Sequence, residues 1–195
     1  PAFLPQDAVQ FSTGRFSLKG MWDAVMDILK ESSPMMGMMA QNAIDQFSKQ
    51  NGVDIRKDLI GNVGDEVLGA NLLVREAGKA VDLSSADQLF AFSLADAKSF
   101  DTALDTAIRS MARLPEGAEP GAAVEMFETL DYLGSPIHAL KQPIPGGPAG
   151  GEQRIQYAVA DRWLLVSLGK GGALAAVLAA LAKPGKTVWE RAEVK

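Results

Sequence analysis

A short pattern occurs three times in this chain and constrains its fold more than any other feature. Each copy is an apolar residue, a serine and a leucine, followed by a turn and an apolar helical segment. The triplets lie at 16–18, 92–94 and 166–168, and their helical segments follow at 21–29, 100–108 and 174–181. Extended segments that lead into helical periodicity predict strand-to-helix units. Three such units predict a partly repeated α+β scaffold, and nothing in the pattern supplies a nucleophile, a metal cage or a phosphate cradle.

The order of elements along the chain predicts an antiparallel sheet. Strands are expected at 8–18, 66–75, 88–94, 123–130, 135–141, 154–160 and 163–168. Helices are expected at 21–30, 36–50, 54–60, 97–113 and 172–182. Because consecutive strands follow one another directly, we predict an antiparallel sheet with helices packed mainly on one face. The Gly- and Pro-rich segment Pro143–Gly151 is expected to be a hairpin tip between two paired strands.

Chain length and hydrophobic content set the expected number of domains. The chain has 195 residues, of which 47% are hydrophobic, which is enough for one domain with a substantial core. We predict one domain over 1–195, which the repeated pattern would divide into pseudo-repeats of about 1–85 and 86–195. The chain starts at Pro1 without an initiator Met and stops within an apparent element at Lys195, so we expect a piece of a longer protein. The longest apolar run, 171–182, is too short for a membrane span.

Charge and residue types exclude several functions. The 19 basic and 24 acidic residues give a net charge of −5, and the densest basic pair, Arg56-Lys57, lies between Asp54 and Asp58. Nucleic acid is therefore not an expected partner, because phosphate binding needs clustered Lys and Arg. The chain has no Cys and one His, His138, which excludes thiolate sites and paired-histidine metal sites. We predict no metal and no cofactor.

No set of residues predicts catalysis. His138 lies in a predicted strand, and the chain lacks the Gly-x-Ser-x-Gly sequence of a nucleophile elbow. Asp101 and Asp105 are four residues apart on a predicted helix, where we expect them to face solvent together. Gly61 and Gly64 are interpreted as a helix cap and a turn, since the acidic pair that follows would repel an RNA backbone. We therefore assign no catalytic residue.

The methionines are the strongest candidate for a functional surface. Six of the eight lie between Met21 and Met39, and four of these are Met35, Met36, Met38 and Met39. Without Cys or His beside them, a soft-metal site is a poor interpretation. Because these four residues span more than one helical turn, we expect at least one or two of them to be exposed or to line a groove. We expect one or more of them to contribute to a contact surface for a protein partner or an apolar ligand.

Several segments resemble a known group of proteins. They are 3–8 (Phe-Leu-Pro-Gln-Asp-Ala), 52–66 (with Gly-Asn-Val-Gly-Asp-Glu at its end) and 94–100 (Leu-Ala-Asp-Ala-Lys-Ser-Phe). They are similar to recurring motifs of a family of bacterial envelope proteins that form a domain of unknown function. The resemblance implies a periplasmic or extracellular location. It implies no reaction and no functional residues.

These observations predict a non-catalytic envelope domain that binds a partner or supports a larger chain. The partner would be another domain of the same full-length chain or a separate protein. A carrier of an apolar small molecule or lipid, held between sheet and helices near the methionines, is the alternative. A hydrolase that uses carboxylates is a weaker one, since it would need carboxylates that converge in a cleft with raised pKa values.

Overall fold

The secondary-structure elements follow the predicted order. The computed structural model describes residues 3–5, 8–73, 86–111, 127–140, 154–169 and 172–183. The helices are α1 (Leu18–Ser32), α2 (Pro34–Asn51), α3 (Ala97–Met111) and α4 (Gly172–Ala182). The strands are β1 (Ala8–Arg15), β2 (Val63–Leu72), β3 (Asp87–Leu94), β4 (Phe127–Tyr132), β5 (Ser135–Leu140), β6 (Arg154–Ala160) and β7 (Trp163–Gly169). Two short helical turns, Ile55–Leu59 and Ile60–Asn62, connect α2 to β2.

The seven strands form one sheet in the order β1-β2-β3-β7-β6-β5-β4. Every neighbouring pair is antiparallel, which confirms the predicted α+β class and its antiparallel sheet. The strands on either side of Pro143–Gly151, β5 and β6, pair as predicted. The segment itself lies outside the described residues.

The main core lies between α4 and one face of the sheet. The strand register places Leu68, Ala91, Leu165 and Ala158 next to one another on this face, and all four are buried. Leu174, Val177 and Leu178 of α4 belong to the same buried cluster, as do Phe3 and Leu4. Side chains alternate between faces along a strand, so the neighbours of these residues point to the opposite face.

The opposite face of the sheet carries the other helices. Tyr157 alternates with Ala158 and lies beside α3, whose residues Phe100, Ala103 and Ala107 are buried. Helices α1 and α2 pack against each other, and α2 also contacts α3. Most helices therefore lie on one side of the sheet, as predicted, and α4 packs on the other.

The three strand-to-helix units exist as β1–α1, β3–α3 and β7–α4, but the serines of the three units make different contacts. Ser17 caps α1 by accepting a hydrogen bond from the Gly20 amide at 2.9 Å. Ser93 instead accepts from the Glu66 amide of β2 at 3.1 Å, and Ser167 is buried under α4. The cap of α4 is remote, because the buried Asp87 carboxylate accepts from the amides of Gly172 and Ala173 at 2.9 and 3.0 Å.

Candidate functional site

The methionine surface, which we define as Met35, Met36, Met38 and Met39, lies in the first half of α2. Their exposed fractions are 66%, 56%, 63% and 64%. The sequence predicted that at least one or two would be exposed, and the structure exposes all four. Exposure of more than half of each of four neighbouring methionines is unusual, because methionine normally packs in the interior.

The local packing of α2 explains this exposure. Ser33 caps the helix, with the Met36 amide 3.4 Å from its hydroxyl, and Pro34 occupies the first turn. Gly37 is the one buried residue of α2, and a Cβ there would lie 3.0 Å from the Cα of Lys30 in α1. Glycine therefore lets the two helices approach closely on that side. The four methionines lie on the side of α2 that faces away from Gly37, and they point to solvent.

Helix α1 also leaves an apolar stripe uncovered. Met21, Val25 and Ile28 are 48%, 47% and 64% exposed, and their spacing of four and three residues places them on one side of the helix. The apolar residues of α1 also include Trp22, Met26 and Leu29, which makes its apolar face broad. Only Met26 is buried, because that face is wider than the surface against which α1 packs.

An exposed set of ion pairs joins α1 to the helical turn that follows α2. Lys19 and Arg56 bind opposite oxygens of Asp23, at 2.8 and 3.3 Å. The hydrogen bond from Lys19 is the main cause that lowers the pKa of Asp23 below its ordinary value. Because these ion pairs are in solvent, they orient the hairpin more than they stabilise it.

A second candidate is the sheet-end cleft, a cavity of about 590 Å³ on the sheet. Its walls are residues 13–15 at the end of β1, residues 66–68 of β2, and Arg162 and Trp163 at the start of β7. Leu68, Val67 and Trp163 provide apolar surface, whereas Arg15, Glu66 and Arg162 provide charge. This volume falls within the usual range of small-molecule sites.

A close contact between the Gly64 backbone and the Ser93 side chain positions Glu66 in this cleft. A Cβ on Gly64 would lie 2.5 Å from Ser93 Oγ, so only glycine leaves room for that serine. Ser93 can then hold the Glu66 amide, at the point where the β2–β3 register is irregular. The Gly-x-x-Gly-Asp-Glu segment therefore has a structural role here.

The charged side chains of the sheet-end cleft are partly paired. Arg162 forms an ion pair with Glu66, and its guanidinium carbon lies 5.2 Å from the centre of the Trp163 ring. Arg15 lies 3.8 Å from Asp65, which is too long for a hydrogen bond. Arg162 is thus held in place, and Arg15 is held loosely.

A third group of polar side chains lies between α3 and β5–β6. The ring of His138 stacks on Tyr157, with ring centres 4.7 Å apart, and Thr129 Oγ1 lies 3.2 Å from His138 Nδ1. Burial raises the pKa of Tyr157 to about 12, and the nearby charges of Asp105 and Asp101 add to this effect. Burial also raises the pKa of Asp101, while His138 opposes the rise.

The positions of the two aspartates correct one prediction. Asp101 and Asp105 were expected to face solvent together. Asp101 is half-buried, whereas the Asp105 side chain stays 44% exposed, and the charges of both act on Tyr157. The cause is that α3 packs this side of its polar face towards β6. His138 is half-buried in its strand, as predicted. Neither aspartate lines the sheet-end cleft or the smaller cleft beside the start of α3, which is lined by residues such as Asp58 and Asp96.

Sequence reasoning missed the sheet-end cleft as a site. The predicted strands 154–160 and 163–168 left Asp161-Arg162 as the turn between them, which the structure confirms, but they did not identify the arginine as a cleft residue. The available signal was an arginine followed by a tryptophan immediately after a hairpin turn. The contact with Glu66 depends on β3 pairing with β7, and local patterns do not encode that pairing.

Within the described ranges, no three His, Cys, Asp or Glu side chains lie close enough together to hold a metal ion. No described helix is both long and apolar enough to cross a membrane. Comparisons with protein-family models, with curated proteins and with solved structures find no match for this chain.

Proposed function

We propose that this chain is a non-catalytic interaction domain of the bacterial cell envelope, whose α1–α2 hairpin binds an apolar surface of a protein partner. The observation that carries the proposal is the exposure of all four residues of the methionine surface. Methionine side chains are unbranched and polarisable, so they adapt to a partner of irregular shape. Surfaces of this composition are used where one protein packs against another.

The weak burial of the hairpin also supports this proposal. Helix α1 has 15 residues and α2 has 18, yet each buries one residue, Met26 and Gly37 respectively. Helices gain most of their stability from packing of an apolar face. A partner that covers the methionine surface would supply the packing that these helices lack.

Charge favours a protein partner over an anionic membrane. Residues 18–51 contain three lysines and four acidic residues. Binding to anionic lipid depends on an excess of Lys and Arg, and the hairpin has none. The partner would be a neighbouring domain of the full-length chain or a separate envelope protein, a location that rests on the family resemblance.

Two other functions stay as alternatives. The carrier hypothesis placed an apolar ligand near the methionines, but the sheet-end cleft lies at the end of the sheet. The hydrolase hypothesis needs carboxylates that converge in a cleft and have raised pKa values. Asp58 and Asp96 line a second cleft, but Asp101, whose pKa is raised by burial, lines neither that cleft nor the sheet-end cleft.

Site-specific photo-crosslinking in bacterial cells tests the interaction. A photoreactive phenylalanine analogue would replace Met38 in one sample and Gln50, an exposed polar residue near the end of α2, in the control. We expect a discrete protein adduct from position 38 alone, and we expect Met35→Gln with Met39→Gln to abolish it. Equal adducts from both positions, or adducts to lipid alone, would refute a methionine-mediated protein contact.

A further inference from the structure

The sheet-end cleft has a backbone that is held on three sides. The Phe16 amide donates to the Asp65 carbonyl at 2.8 Å, which joins the end of β1 to β2. The Leu94 amide donates to the Arg162 carbonyl at 2.8 Å, which fixes the turn before β7. With the Glu66 amide bound to Ser93, each wall of the cleft is anchored before any ligand arrives. A preformed cleft loses little conformational freedom when it binds.

The charges that line this cleft favour an anion. Arg15 and Arg162 contribute two positive charges and Glu66 one negative charge, whereas the whole chain carries −5. Glu66 already neutralises much of Arg162. The side chain of Arg15 is 82% exposed. Its cross-strand neighbour Glu66 is already paired with Arg162, and Asp65 lies 3.8 Å away, which is too far for a hydrogen bond. The planar, multi-donor group of Arg15 suits the two oxygens of a carboxylate or sulfonate.

The apolar walls favour a ligand with a hydrophobic body. Leu68 and Trp163 are buried core residues, at 1% and 7% exposure, that the cleft reaches from outside. Trp163 is held by the ring of Phe3 in an edge-on contact, with ring centres 5.3 Å apart. Its position is therefore fixed, and an apolar group placed against it and Leu68 would be removed from water.

We propose that the sheet-end cleft binds a small organic anion with an apolar body, whose acidic group contacts Arg15 and whose body lies against Trp163 and Leu68. Arg162, held between Glu66 and Trp163, forms the second positive wall. This site is separate from the methionine surface and does not depend on the proposed partner.

A pair of matched fluorescent probes tests this site. The anionic dye 8-anilinonaphthalene-1-sulfonate and the uncharged N-phenyl-1-naphthylamine share an apolar body and differ in the acidic group. We expect saturable binding of the anionic dye, weakened about tenfold by Arg15→Gln, as for loss of one charge-assisted hydrogen bond. Glu66→Gln should strengthen binding severalfold. The uncharged dye should respond to neither change.

Two control variants make the result specific. Arg109→Gln removes an exposed arginine that pairs with Asp105 on α3, and it should leave the affinity for the anionic dye unchanged. Met35→Gln with Met38→Gln should do the same. The proposal is overturned if the anionic dye does not bind saturably, if Arg15→Gln leaves its affinity intact, or if only the methionine changes reduce it. Circular dichroism confirms that each variant is folded.

Discussion

Helix α4 and the α1–α2 hairpin are both rich in apolar residues, yet the protein uses them in opposite ways. Helix α4 has 11 residues and buries four of them, Ala173, Leu174, Val177 and Leu178. The hairpin is three times longer and buries two. The difference shows that apolar content alone does not decide burial, because a helix buries only the side that a sheet or another helix covers.

The largest expected effect tests the role of α4 in the core. Leu174→Ala should lower the free energy of unfolding by about 3 kcal/mol, because the side chain is fully buried and its removal leaves a cavity. The matched change Met38→Ala in the hairpin should alter it by less than about 0.5 kcal/mol. Urea unfolding curves measure both. Equal losses would show that α4 and the hairpin contribute alike to stability.

Helix capping gives a second, smaller contrast. Asp87→Ala should cost about 1–3 kcal/mol, because the amides of Gly172 and Ala173 would lose a buried acceptor. Ser17→Ala removes the cap of the exposed α1, and it should cost about 0.5–1 kcal/mol because water can replace the hydroxyl. If the two variants unfold at the same urea concentration, the remote cap has no special role.

Alkaline pH should lower the stability that Tyr157 contributes to the folded protein. The pKa of Tyr157 is raised to about 12 in the folded protein, so folding stabilises the protonated phenol. That contribution is complete below the ordinary pKa of 10 and is lost as the pH rises from about 10 to 12. Unfolding measured at pH 9 and pH 11.5 should show the loss, and Tyr157→Phe should reduce it. An identical loss in that variant would assign the effect to other groups.

The smallest expected effect on stability concerns the methionine surface. Met35→Gln with Met38→Gln should shift the melting temperature by less than about 2 °C, since neither side chain is part of the core. Mild peroxide followed by mass spectrometry gives a direct test of exposure. The four residues of the methionine surface should oxidise before Met26, which is 5% exposed. Oxidation of Met26 at an equal rate would mean that the hairpin opens readily.

Local patterns were enough to predict the elements of this fold. The bounds of β6 and α4 match the predicted ranges, because the turn at Asp161-Arg162 and the loop before Gly172 are encoded locally. Strand β2 was placed three residues too late, since the irregular pairing near Gly64 extends the strand towards Val63. Local signals of this kind survive in the folded state because the tertiary structure agrees with them.

The candidate sites were predictable only in part. The methionine surface could be found from the concentration of methionines in one short segment. The geometric reason for expecting exposure was wrong, because the four residues lie on one side of α2, away from the buried Gly37. The sheet-end cleft could not be found, because Arg15 of β1, Glu66 of β2 and Arg162 of the β6–β7 turn are distant from one another in the chain. The environment of Asp101 was hidden for the same reason, since the chain segment that holds Tyr157 is far from α3 in sequence.

The pairing of β3 with β7 has a consequence for the order of folding. Gln88 and Leu168 pair across the sheet although about 80 residues separate them, and this seam joins strands β1–β3 to strands β4–β7. Closing so long a loop is entropically slow, whereas the β4–β5 and β6–β7 hairpins form from near neighbours. We therefore expect the seam to form late. Helix α4 packs on β3, β7 and β6, and its first turn is capped by Asp87 of β3. It therefore contacts strands from both halves of the sheet and stabilises their pairing once it has formed.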